Sequence, residues 1–344
     1  MSKGVLLINL GSPDSPSPKD VKRYLGEFLM DKFVIDMPYI PRALLVKGII
    51  LNTRPKKSAA NYQKIWWEEG SPLIVLSKRL HQKIAAKTSI PVALAMRYGN
   101  PSILHGLQQL HDQGVNEVML LPLYPQHAMA TTVTILEKAK ELRKAHFPNM
   151  NITSVPAFYN RPEYIKALAN SIQKSLAGKE VDHLLFSYHG IPERHIHKTD
   201  ITKSHCKIDG SCCSTPSPAH EFCYRHQCYE TTRLTLEAMG LEKSAASSSF
   251  QSRLGRAAWL QPYTSDTIVK LAQAGIRNLA VVTPAFVSDC LETLEEIGLE
   301  AKHAFIEHGG INFNAIPCLN DNDEWSRVII DWVNNFSGSE GLRE

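Results

Sequence analysis

The sequence predicts an α/β protein of two similar Rossmann-like lobes, each a parallel sheet flanked by helices, with the active-site cleft between them. Three observations carry this expectation. Short apolar runs bounded by turn residues, such as Val5-Leu6-Leu7-Ile8-Asn9 and Leu279-Ala280-Val281-Val282, have the length of buried strands. Helical patterns at 102–113 and 265–274 precede the strands at 118–122 and 279–282, and a glycine, Gly114 or Gly275, closes each. The whole order then recurs, and strands alternating with helices of this length give parallel sheets joined by right-handed crossovers.

Taken in order, the first strand ends in Leu10-Gly11-Ser12-Pro13, a turn that Leu184 to Pro192 repeats in the second half. Between that strand and the one at 92–96 lies an insertion, 38–72. There Pro41 sits at the first turn of a helix whose Leu44, Leu45, Ile49 and Ile50 leave little polar face. Arg54, Lys56 and Lys57 follow. Such a helix either lies on an anionic membrane surface, forms the lip of a pocket for a flat apolar ligand, or packs as core. The paired Trp66 and Trp67, beside Tyr62 and Gly70-Ser71-Pro72, fit a pocket wall or a core equally. The lobe boundary falls near Phe158 to Glu163, giving an N-terminal lobe 1–160, a C-terminal lobe 161–330 with a cysteine-rich insertion 204–230, and a tail 331–344. A single continuous sheet is the alternative.

Composition limits the function classes. Hydrophobic residues at 43%, charged residues at 21% and a net charge of +4 describe an ordinary globular chain. Basic residues lack the aromatic interleaving of single-strand binders, so nucleic acid is not an expected partner. The first apolar run is too short for a signal peptide, and no run approaches the roughly 18 to 20 residues that cross a bilayer, which points to the cytoplasm with membrane contact at most peripheral. Oligomeric state is not legible.

Two strand-end loops carry the chemistry. His189, in Ser187-Tyr188-His189-Gly190, and Asp289, in Pro284-Ala285-Phe286-Val287-Ser288-Asp289, each follow a strand, where open α/β sheets bind ligands. Glu292, Glu296 and Glu300 recur every four residues, drifting by about 40° per step in an α-helix but stacking better in an underwound π-type segment. The everyday meaning of such a run is a solvated face; beside a strand-end loop that faces His189 it fits cation handling. The chain has seven cysteines, and Cys206, Cys212, Cys213, Cys223 and Cys228 crowd one loop-rich stretch, which in a reducing compartment points to metal or cluster binding before disulfides. Zinc, an iron–sulfur centre and unligated thiols all remain open on spacing alone.

These motifs, in this order, resemble the ferrochelatases: Asn9-Leu10-Gly11-Ser12-Pro13, Gly70-Ser71-Pro72, Met96-Arg97-Tyr98-Gly99, Leu123-Tyr124-Pro125-Gln126, Ser187-Tyr188-His189-Gly190, Phe250-Gln251-Ser252-Arg253, Trp259-Leu260 and Pro284 to Glu292. The resemblance implies insertion of Fe²⁺ into protoporphyrin IX to give protohaem. It implies that His189 and Glu292 are catalytic, and that His189, Asp289, Glu292, Glu296 and Glu300 handle the metal. Leu10, Phe286 and Trp259 would press on the macrocycle, with Arg54, Tyr62 and Ser71 on propionates and Arg97 also at the substrate. A two-iron two-sulfur cluster on the internal cysteines is favoured over zinc, because some bacterial ferrochelatases carry one inside the chain. Cys290 stands where animal members have a second histidine, and the C-terminal tail lacks their cluster cysteines. A chelatase for coproporphyrin or for cobalt, and a non-catalytic haem or iron–sulfur sensor, are the competing expectations.

Porphyrin metallation explains why such residues belong together. Two pyrrole N–H protons occupy the space the metal must enter, so a base and a weak, releasable set of hard ligands are both needed. Histidine, ordinarily titrating near 6.5, suits the first task and carboxylates suit the second.

Overall fold

The computed structural model describes residues 2–253, 255 and 257–336. The described chain divides into two units, each with its own sheet.

In the first unit, β1 (Lys3–Asn9), β2 (Val92–Met96), β3 (Glu117–Pro122) and β4 (Asn151–Ser154) form a four-stranded parallel sheet in the order β2-β1-β3-β4. Helices cover both faces, so β1 to β3 are buried along their length and read as unbroken apolar runs rather than alternating ones. Leu6, Ile8, Ala93, Leu107, Leu110, Leu120 and Ile135 form the core. A fully buried aliphatic side chain of this size contributes about 1.5–3 kcal/mol. At the end of β1 the chain turns at Gly11, whose φ of 106° and close approach to the Tyr98 carbonyl exclude a Cβ.

The second unit repeats the plan: β5 (His183–His189), β6 (Ala246–Gln251), β7 (Asn278–Val282) and β8 (Asn312–Ala315), all parallel, in the order β6-β5-β7-β8. The winding is the same as in the first unit. Two separate sheets therefore replace the continuous-sheet alternative.

The expected domain limits need correcting at the C-terminus. Residues 320–336 belong to the first unit, not to a lobe ending at 330 and a tail from 331. The reason is amphipathic packing: the helix Asp323–Asn334 buries Trp325, Ile329 and Val333, and Lys83 on the helix Pro72–Ala85 pairs with Asp323 at 3.0 Å and Asp321 at 3.4 Å. Residues 337–344 of the expected tail lie outside the described residues. The short stretch Pro125–Ala128 belongs to the second unit.

The insertion at 38–72 is helical. Tyr39–Ala43 leads into a π-helical segment, Leu44–Ile50, and then Leu51–Thr53 and Pro55–Ile65. Val46 is buried against Leu29 and Ile35, so one side of it is core. The other side is bare: Ile40 is 72% exposed and Leu44 69%, and Tyr39 and Ile49 are exposed as well. Among the described residues no helix is long and apolar enough to cross a membrane.

Candidate active site

His189 is the last residue of β5. Gly190 follows because a Cβ there would fall 2.9 Å from the Gln251 carbonyl oxygen and 3.2 Å from the Trp259 ring. The His189 Nδ1 lies 2.6 Å from the Gly190 carbonyl oxygen. A carbonyl only accepts, so Nδ1 carries the hydrogen and the Nε2 lone pair of the neutral ring is the basic one. The ring sits among aromatic neighbours, with centroids 6.4 Å from Trp259 and 6.2 Å from Phe286. Tyr224 holds the backbone from behind, its hydroxyl donating to the His189 carbonyl at 2.8 Å.

The acidic ladder is a π-helix, Glu292–Ala301, the underwound form its spacing favours. Exposure is graded along it: Glu292 and Glu296 are half-buried, Glu300 is exposed, and Glu295, on another side, is buried. Glu296 is the member bonded firmly in place. Its Oε1 accepts the Ser252 N–H at 2.7 Å, its Oε2 accepts the Ser252 hydroxyl and, at 3.4 Å, the Gln251 Nε2, which also donates to the Glu292 carbonyl at 2.9 Å. Burial pushes the Glu296 carboxyl above its ordinary range, while the Ser252 hydroxyl, His189 and the Ser252 N–H pull it back. Ser252 has a φ of 66°, a left-handed conformation that serine rarely adopts. Gln251 is oriented in turn by the Ser187 hydroxyl at 2.7 Å, and Ser187 and Ser249 both share Thr264 at 2.8 Å.

Asp289 sits in the loop after β7. It is buried, and its Oδ1 accepts from the Thr293 hydroxyl at 2.8 Å and the Cys318 N–H at 3.3 Å, which ties the ladder's first turn to the loop after β8. Cys290 is buried beside Glu292.

Within the first unit, Arg97 pairs with Asp31 at 2.5 Å and donates to Thr134 at 2.8 Å, and Tyr98 donates to the same Asp31 oxygen at 2.9 Å. With side chains only 12% and 5% exposed, Arg97 and Asp31 form a structural ion pair. Arg54 is exposed where Leu51–Thr53 meets Pro55–Ile65. Tyr62 packs edge-on against Trp66, Ser71 is buried at the start of the helix Pro72–Ala85, and Leu10 packs partly onto the core.

In the cysteine insertion, Cys206 and Cys213 both lie close enough to Cys223 to act on its thiol, and the Cys212 sulfur accepts the Lys207 N–H at 3.2 Å. Burial pushes the Cys206 thiol up to about 11; the Cys223 thiol beside it, and then burial, push Cys213 up as well. Cys228 sits apart: it is fully buried, beside Tyr224, Tyr164 and Tyr188. Among the described residues no group of three or more His, Cys, Asp or Glu side chains is arranged to hold a single metal ion.

Sequence reasoning assigned no role to Ser252, Gln251 or Ser187. All three lie in quoted motifs, and the signal available was their position at the ends of neighbouring parallel strands, where side chains converge.

The class is set by the fold. SirB from Bacillus subtilis with Fe³⁺ aligns with a TM-score of 0.53 at 12% identity, covering 97% of this chain and 95% of that one. The sirohydrochlorin chelatase SirB from Bacillus subtilis subspecies spizizenii, in complex with cobalt, gives 0.57 at 10% identity over the whole of both chains. At such identities the likeness defines a chelatase-like fold and no more. Sequence takes the next step: the ferrochelatase family model matches residues 2–336, and ferrochelatases from Ectopseudomonas mendocina and Stutzerimonas stutzeri are 50% and 46% identical, over 94% and 95% of this chain and 95% and 96% of theirs. The chain belongs to the ferrochelatase family, the lyases that insert iron into porphyrin in haem biosynthesis.

Proposed function

We propose that the porphyrin metallated is protoporphyrin IX and that His189, Glu296 and Glu292 carry the reaction. The observation that supports this best is the clamp of Ser252 and Gln251 on Glu296, which fixes a carboxylate in reach of the charge of His189. The His189 Nε2 takes the two pyrrole protons in turn, releasing each to solvent; Fe²⁺, as substrate, passes from exposed Glu300 to Glu296 and Glu292, ligands weak enough to release it. Two protons leave as one divalent cation enters, so the charge balances. Trp259 and Phe286 give His189 apolar walls suited to a flat ring. On the first unit, Leu10, Arg54, Tyr62 and Ser71 keep their proposed substrate contacts, whereas Arg97 is spent on Asp31. The test is anaerobic incubation with Fe²⁺ and either protoporphyrin or coproporphyrin, followed by absorbance. Faster turnover of coproporphyrin would overturn the substrate assignment.

The exposed Tyr39, Ile40, Leu44 and Ile49, with Lys47, Lys56 and Lys57 nearby, support peripheral contact with an anionic membrane surface. A two-iron two-sulfur cluster fits the insertion, since each iron asks the protein for only two thiolates and Cys206, Cys212, Cys213 and Cys223 lie as neighbours. Such a centre supplies iron–sulfur redox chemistry and a cross-link for the loop; no metallation step above involves it.

A further inference from the structure

Arg225, on the helix Tyr224–Met239, is 2% exposed, and among the described residues no carboxylate comes within ion-pair distance of it. Its Nη1 donates to the Ile208 carbonyl at 2.5 Å, and its Nη2 donates to the Lys207 carbonyl and lies 3.7 Å from the Cys212 sulfur. The charge of the same guanidinium also reaches Cys206, Cys213 and Cys223. Asp209 also senses that charge, but from the exposed surface. The Nε has no partner. A guanidinium cannot shed its proton, and two carbonyl dipoles do not neutralise it, so burial of an unpaired charge here is strongly disfavoured. The neighbours able to supply buried negative charge are the sulfurs, once they are thiolates. Four thiolates on a two-iron two-sulfur core leave a net negative centre, which a buried guanidinium balances.

Resting on the cluster reading above, we propose that Arg225 is a positioning residue that compensates the charge of a cluster bound by Cys206, Cys212, Cys213 and Cys223. Cys228 stands outside it, although Cys213 acts on it electrostatically.

The test uses anaerobically purified full-length protein and its Arg225→Gln, Arg225→Lys and Cys228→Ser variants. Iron and acid-labile sulfide are counted, visible absorption is recorded, and the reduction potential is titrated with dithionite. The original protein and Cys228→Ser are expected to be reddish brown with about two iron and two sulfide per chain. Arg225→Gln should load less than half as much, or shift the reduction equilibrium at least tenfold toward the oxidised form, about 59 mV for one electron. Arg225→Lys, which keeps the charge, should load and titrate close to the original and so separates charge from packing. Normal loading and potential in Arg225→Gln, or Lys behaving as Gln does, overturns the role of Arg225. A colourless Cys228→Ser overturns the ligand assignment. Colourless, sulfide-free original protein overturns the cluster reading itself, and the proposal with it.

Discussion

Ser252 holds Glu296 by both its backbone N–H and its hydroxyl, and it does so from a left-handed backbone conformation. Residues in such conformations cost about 1–3 kcal/mol and persist where the surrounding structure determines them. Here the strained turn aims two donors at a half-buried carboxylate next to His189.

The first prediction follows from that relationship. The Ser252 bonds lower a carboxyl pKa that burial raises, so removing the hydroxyl raises it further. A carboxylate ligates Fe²⁺ only when ionised, so the metal role proposed for Glu296 depends on that charge. In Ser252→Ala the acidic limb of the kcat/KM profile for iron should therefore move to higher pH, with the apparent KM for iron raised at pH 6. An unmoved limb would separate Ser252 from the carboxylate's ionisation.

His189→Ala is expected to lose turnover by about 10²- to 10⁴-fold, the usual contribution of a general base, while porphyrin binding followed by fluorescence stays near normal. Retention of more than about a tenth of the rate would exclude a base role.

Arg97→Leu should destabilise the first unit rather than weaken substrate binding. Removing one partner of a buried ion pair costs about 3–5 kcal/mol, because Asp31, with a side chain 5% exposed, is left charged without its cation. Chemical denaturation of the variant, beside its apparent KM for porphyrin, separates the two roles.

Acid stability gives a prediction with a defined sign. Burial lowers His127 to about 4, so between the ordinary value of 6.5 and 4 the unfolded chain binds a proton that the folded chain does not. Stability therefore falls with falling pH across that window, by up to about 1.4 kcal/mol per unit. His127→Gln should flatten the decline in melting temperature between pH 6.5 and 4.5; an unchanged slope would mean the proton is taken up elsewhere.

The bare face of the insertion is tested with vesicles. Ile40→Glu with Leu44→Glu should weaken sedimentation with phosphatidylserine vesicles at least tenfold, since two apolar side chains each contribute well over the 1.4 kcal/mol that a factor of ten requires. Both residues are already exposed, so the melting temperature should hold.

The sequence alone determined the repeated α/β plan, because strands such as β1 and β7 are buried on both faces and a buried strand must be apolar throughout. It also determined the π-type ladder, since three glutamates at intervals of four mark one face of an underwound helix. The short edge strands β4 and β8 went unseen, being four residues of mixed polarity whose pairing comes from their neighbours. Tertiary structure alone decided which charges are spent on the fold. Arg97 and Asp289, site residues by their motifs, also bond within the fold, one to Asp31 and the other to Thr293 and Cys318, partners 66 and 29 residues from them or folded back one turn away. Ser252 and Arg225 carry no sequence signal of their own. Their roles arise from where parallel strands end and from which sulfurs a loop gathers, and such convergence of distant residues is set by packing rather than by any local pattern.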